Sequence, residues 1–154
     1  VPFCIAGGTA MGEGKGDILR PLSDMPECTI VVACGKDGVS TPMAYAMLDE
    51  RYGGFAAGAY VPRSTVALKR ALDDGDIYGV ASNMYNIFED PISSVRPEVI
   101  QIKEIMINAG AIGAMMSGSG PSVFGIFIDP CRAANAVEQL KARGIFACAC
   151  NPQN

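Results

Sequence analysis

The sequence predicts an α+β fold of the ferredoxin-like, split βαβ kind: a four-stranded, mainly antiparallel sheet with helices on one face. Three observations carry that expectation. Thr29-Ile30-Val31-Val32-Ala33-Cys34 is β-branched and almost wholly apolar, as a central strand should be. Two apolar segments, 112–116 and 122–128, are joined by the glycine- and serine-rich turn Ser117-Gly118-Ser119-Gly120-Pro121-Ser122. Helical periodicity fills the stretches before this pair and after it, so the order is strand, helices, strand, strand, helix, strand.

The elements follow in order. Residues 7–16 hold too many glycines for a regular element and are expected to form a loop or an irregular hairpin. The central strand ends at Gly35. A first helix then opens at Ser40-Thr41-Pro42, with Thr41 as its expected N-cap and Pro42 at the first helical position, where a missing N–H costs nothing. Met43, Ala44, Met47 and Leu48 mark its inner face. A second helix is predicted over 63–73, with Ala67, Leu68, Ala71 and Leu72 inward, and a weaker third over 76–86. Residues 86–94 are predicted to be a loop. The clearest amphipathic pattern is 97–109, where Val99, Ile102, Ile105, Met106 and Ala109 form one stripe and Gly110 fits the C-terminal cap. After the paired strands, a helix over 131–143 turns Ala133, Val137 and Leu140 inward, and a strand over 145–150 closes the sheet.

Composition excludes several classes of function. At 154 residues, 49% hydrophobic and 18% charged, the chain has enough apolar material for a core and is no disordered segment. No apolar run approaches the roughly 18 residues of a membrane helix, and no secretory leader pattern opens the chain, so a cytoplasmic location is expected. A net charge of −4 without a basic cluster argues against nucleic-acid or anionic-membrane partners. There is no histidine, which removes Ser-His and Cys-His catalysis and leaves Ser119 without a base to make it a nucleophile. Six scattered cysteines are expected to be reduced, most of them packed as small hydrophobes, and no pair spacing fits a metal site.

The turn at 117–122 is the segment richest in chemistry. Gly118 and Gly120 permit positive φ, and the missing Cβ atoms let a neighbouring loop or ligand approach closely. Successive amides in such a turn can cradle an anion. A plain hairpin would need the same glycines, so the neighbours have to decide.

Taken with Val1-Pro2-Phe3, Gly7-Gly8-Thr9-Ala10, Glu13-Gly14, Gly38-Val39-Ser40-Thr41, Pro97-Glu98 and Gly110-Ala111, the 115–124 segment closely resembles the C-terminal half of the GHMP-superfamily small-molecule kinases. Within that superfamily the match is best to the kinases of 4-diphosphocytidyl-2-C-methyl-D-erythritol in non-mevalonate isoprenoid biosynthesis. The resemblance implies ATP-dependent phosphorylation of a hydroxyl group, with Mg2+, on a cytidyl diphosphate sugar alcohol. It implies that residues 1–28 end the N-terminal kinase domain or link to it, and that residues 29–154 form the C-terminal domain. It assigns Ser117, Gly118, Ser119, Gly120, Pro121 and Ser122 to the motif lying against the ATP phosphate loop. Ser40, Thr41 and Pro42 fall where the domain borders substrate, with Gly8 and Thr9 on the cleft floor. Lys36 and Asp37, near the Ser40 segment, could face substrate or stand as solvated surface charges.

The resemblance places no catalytic residue and no metal ligand in this chain. The phosphate loop would lie in a missing N-terminal half, the catalytic aspartate would immediately precede Val1, and the chain alone would be inactive. A start at Val1 without methionine likewise reads as a piece of something longer, whose uncovered apolar residues 1–5 could pair two copies into a homodimer. A homoserine kinase fragment and a non-catalytic ferredoxin-like ligand-binding module are the competing readings.

Overall fold

A six-residue strand with partners on both sides organises the computed structural model, which describes residues 3, 6–35, 38–53 and 63–153. In chain order the elements are β1 (Ala10–Glu13), β2 (Ile18–Pro21), β3 (Thr29–Cys34), α1 (Thr41–Tyr52), α2 (Val66–Asp73), α3 (Ile77–Asn83), α4 (Glu89–Val95), α5 (Glu98–Asn108), β4 (Gly113–Met116), β5 (Val123–Phe127), α6 (Pro130–Lys141) and β6 (Phe146–Cys150). β1 and β2 form a separate antiparallel hairpin, while the main sheet runs β4-β5-β3-β6 with every neighbouring pair antiparallel. This is the split βαβ arrangement: the two strands joined by the helical crossover, β3 and β4, are separated by β5.

Alternation along the strands decides which face is covered. Val31 and Ala33 of β3, Val123 and Phe127 of β5, Met116 of β4 and Ala147 of β6 point to one side. There they meet Ala44 of α1, Ile92 of α4, Val99, Ile102 and Met106 of α5, and Ala133, Ala136 and Leu140 of α6. Gly125 lies on this face because α5 comes so close: a Cβ there would stand 2.9 Å from the Met106 sulfur. Ile30, Phe124 and Ile126 point the other way, against Ala71, Leu72, Val80 and Ala81 of the additional helices α2 and α3. These two helices leave the β6 side of that face open, with Phe146, Cys148 and Cys150 exposed.

Most boundaries fall within a few residues of the sequence expectation, and five findings depart from it. Helices cover both faces of the sheet, where one was expected, because the added α2 and α3 bury Ile30, Phe124 and Ile126. Residues 89–95 form α4, where a loop was expected; Pro91 is tolerated because it sits in the first turn, where its ring meets no preceding turn of helix. The N-cap of α1 is Ser40 and not Thr41, and no side chain caps that end. The second helix starts at Val66, and Ala67 is exposed. Among the described cysteines, all free, only Cys28 is buried; Cys34 is half-buried, and Cys131, Cys148 and Cys150 are exposed. Burial, with the nearby Cys150, pushes the Cys28 thiol above its ordinary value.

The apolar residues 1–5, and with them the expected pairing of two copies, lie outside the described residues except at Phe3. That residue is helical, and its carbonyl accepts from Gly7 N–H at 2.9 Å. Lys36 and Asp37 also lie outside them. Among the described residues no helix is long and apolar enough to cross a membrane.

Candidate functional site

The register places the functional geometry at one end of the sheet. Ala33, the penultimate residue of β3, pairs with Val123, and Val123 pairs in turn with Met116 on its other side. The bend between β4 and β5 therefore emerges beside the point where the chain leaves β3 for α1. Ser117 N–H donates to Ser122 O at 2.8 Å and Gly120 N–H to Ser117 O at 3.0 Å, which closes the bend. Gly118 and Gly120 have φ of 55° and 77°, as the sequence predicts, and the Gly120–Pro121 peptide is cis. A Cβ on Gly120 would overlap the Met116 sulfur, whereas one on Gly118 would meet nothing within 4 Å. Gly120 is thus required by packing, and Gly118 lies open to whatever approaches from outside.

The tip of α1 meets this bend directly. Thr41 Oγ1 and Ser119 Oγ are 3.2 Å apart. That contact occupies the hydroxyl that the sequence assigned to capping, while the helix keeps its Pro42 and its unspent first-turn N–H groups beside the bend. Ser40, Thr41 and Pro42 are all exposed, as are Ser117 and Gly118; Ser119, Gly120 and Ser122 are half-buried and Pro121 is buried. A helix N-terminus with partial positive charge and a turn of backbone amides therefore share one surface.

Gly8 and Thr9 are not part of it. They line a concavity with Met25, Ile30 and Pro152, at the opposite end of β3, and Thr9 O accepts from Leu22 N–H at 2.9 Å to extend the β1–β2 hairpin. Of the residues singled out in the sequence, the structure brings together the bend and the 40–42 segment and leaves the 8–9 pair apart.

Two residues that sequence reasoning passed over hold the bend. Asn86 Nδ2 donates to Met116 O at 2.7 Å and to Gly118 O at 2.8 Å, while its Oδ1 accepts from Phe88 N–H at 3.0 Å. Glu89 Oε2 accepts from Met116 N–H at 2.7 Å, and its other oxygen is ion-paired with Lys103 of α5. With side-chain exposures of 21% for Glu89 and 28% for Lys103, this pair is shielded enough to matter energetically, unlike the surface pairs elsewhere on the chain. The Asn-x-x-Glu spacing of a helix start was the available local signal. Tyr45 of α1 packs edge-on against Phe88 with ring centroids 5.0 Å apart, and Arg51 pairs with Asp90, so α1 and the clamp belong to one frame.

At the start of α5, Glu98 Oε1 and, just before the helix, Arg96 Nε are buried without hydrogen-bond partners; Glu98 lies against Gly35, and Arg96 also donates to Gly38 O. Among the described residues no cluster of three or more His, Cys, Asp or Glu could hold a metal ion. What the site offers is main-chain N–H groups and hydroxyls.

Comparison with known proteins agrees with this geometry. The family model described as GHMP kinases C terminal matches residues 67–145. The chain is 42% identical over 142 residues to a 4-diphosphocytidyl-2-C-methyl-D-erythritol kinase of Alkaliphilus oremlandii, covering 91% of this chain and 46% of that protein. A kinase of the same name from Clostridium novyi is 38% identical, with 93% and 49% covered. A crystal structure of 4-(cytidine 5'-diphospho)-2C-methyl-D-erythritol kinase superposes with a TM-score of 0.78 at 30% identity, over 99% of this chain and 53% of that one. Homoserine kinase from Cytophaga hutchinsonii shares the fold, with a TM-score of 0.73 at 19% identity and coverage of 98% and 50%. The chain spans about half the length of the curated relatives it matches. The family model's match over residues 67–145, which takes in the 117–122 bend and the helices on either side of the β4–β5 pair, places the chain in the GHMP kinase family as its C-terminal domain.

Proposed function

We propose that this chain is the substrate-side half of an ATP-dependent kinase that phosphorylates a hydroxyl of 4-diphosphocytidyl-2-C-methyl-D-erythritol. The observation that carries the reading is the 3.2 Å meeting of Thr41 and Ser119 hydroxyls, which joins the α1 tip and the 117–122 bend into one wall. Similarity to kinases of that name, at 42% and 38% identity, supplies the substrate class.

Phosphoryl transfer asks a protein mainly to position two reactants and to neutralise charge that develops on the transferring group. ATP, when bound, supplies that group. The bend fits such a group: its backbone is exposed at Ser117 and Gly118, no Cβ stands over Gly118, and the N–H groups it presents are fixed before any ligand arrives. The α1 N-terminus suits an anionic or hydroxyl-bearing substrate for the same reason. Among the described residues no group of three or more His, Cys, Asp or Glu gathers, so the Mg2+ this reading expects would be held chiefly by the nucleotide phosphates and by residues outside this chain. In this reading residues 29–154 form the C-terminal domain and the β1–β2 hairpin, in residues 1–28, belongs to the junction with the other half.

The test is an assay of the complete kinase containing this sequence, with ATP and either the cytidyl substrate or homoserine. Phosphorylation of the cytidyl ligand alone is the expected result. Transfer to homoserine would select a different member of the family, and no transfer to either would leave a ligand-binding module.

A further inference from the structure

We infer that Asn86, supported by Glu89 and Lys103, is the positioning residue that aims the Ser119 N–H out of the bend. The argument rests on the planarity of the peptide unit. In a trans peptide the C=O of one residue and the N–H of the next lie in one plane and point in opposite directions. Asn86 Nδ2 holds the Gly118 carbonyl at 2.8 Å, so the Ser119 N–H in the same plane is turned away from Asn86. The neighbouring peptide shows the same logic at work. Asn86 also holds Met116 O, and the Ser117 N–H, on the far side of that plane, reaches Ser122 O at 2.8 Å.

The asparagine has no freedom to release either carbonyl by turning over. An amide group has two donor hydrogens and one acceptor oxygen. Both hydrogens are given to the bend, and the oxygen takes the Phe88 N–H at 3.0 Å, so a flipped amide would face three like groups at once. Glu89 fixes the third main-chain group, Met116 N–H, and Lys103 keeps that carboxylate in place. Gly118, with φ of 55° and open space around it, would otherwise let its peptide planes rotate. Among the described residues no main-chain carbonyl accepts from Gly118 or Ser119 N–H, so both remain available to a ligand.

The catalytic consequence rests on the kinase reading above; the orientation of the bend does not. Two measurements keep them apart. In this chain, Asn86→Asp replaces two donors by an oxygen facing two carbonyls, and Asn86→Ala removes the donors without adding charge. NMR of the backbone amides should show the Gly118 and Ser119 signals shifted and exchange of the hydrogen-bonded Ser117 and Gly120 amides accelerated at least about tenfold relative to Val31 and Ile102. An unshifted Ser119 signal together with unaltered Ser117 and Gly120 exchange in Asn86→Ala would overturn the inference whatever the protein catalyses. In the complete kinase, the same variants should lower kcat about 100-fold, the lower end of what losing one oxyanion donor costs, with KM for the cytidyl substrate within about threefold. Equal kcat with a loosened bend would remove the positioning role. A wild-type kinase inert toward the cytidyl substrate would count against the proposed function while leaving the exchange measurement to decide the clamp.

Discussion

Two glycine-rich turns among the described residues are held in opposite ways. Three side chains from elsewhere hold the bend at 117–122: Asn86, just before α4, and Glu89, its first residue, bond the main chain at Met116 and Gly118, and Thr41 from the tip of α1 meets the Ser119 hydroxyl. At 7–16 the glycines Gly7, Gly8 and Gly16 have positive φ with no atom within 4 Å of a would-be Cβ, and the segment is tied mainly by its own β1–β2 ladder and by Leu22 N–H to Thr9 O. Glycine supplies the same backbone latitude in both. What distinguishes a pre-set binding surface from a connecting hairpin is the set of distant donors and acceptors that removes this latitude again.

The sharpest way to break the comparison is Gly120→Ala. The new methyl would run into the buried Met116 side chain at a left-handed position, and together these should cost about 2–4 kcal/mol, read as a lower urea midpoint at unchanged m-value. A loss below about 1 kcal/mol would mean that the bend is no more constrained than the hairpin. Gly118→Val has open space around it and should cost only the backbone term, about 1–2 kcal/mol. In the complete kinase it should depress turnover far more than stability, and unchanged turnover would remove the bend from the reacting centre. The smallest effect belongs to Gly8→Ala. Its strain of about 1 kcal/mol should stay within the hairpin, speeding amide exchange at β1 and β2 while that of β3 stays as it was. Propagation into β3 would show that the two regions are coupled after all.

The parts of this design that were legible in the sequence are those whose causes are local. The run Thr29–Cys34 is too β-branched and apolar to be anything but a covered strand, and both of its ends were placed correctly. The stripe of Val99, Ile102 and Met106 located α5, and all three are fully buried. Gly118 and Gly120 announced positive φ. The clamp was not legible because its partners are 27 to 32 residues apart, and no period or spacing links an asparagine to carbonyls that far along the chain. Around it, Pro91 and the serines Ser93 and Ser94 gave α4 the composition of a loop, and only packing of Ile92 into the core makes it a helix. Thr41 was read one place too late as a cap because its hydroxyl serves the bend, a contact 78 residues away. The cysteines of β6 looked like core because nothing in a short apolar strand reveals that one side of a sheet is left uncovered.

β4 is an outer strand, and outer strands invite foreign chains to add to them. Here the outward-facing N–H and C=O of Met116 are already taken by a carboxylate and an amide of the same molecule, leaving a visiting strand no ladder rungs beyond Ala114. The same two side chains that shape the bend therefore also guard this border of the sheet against aggregation.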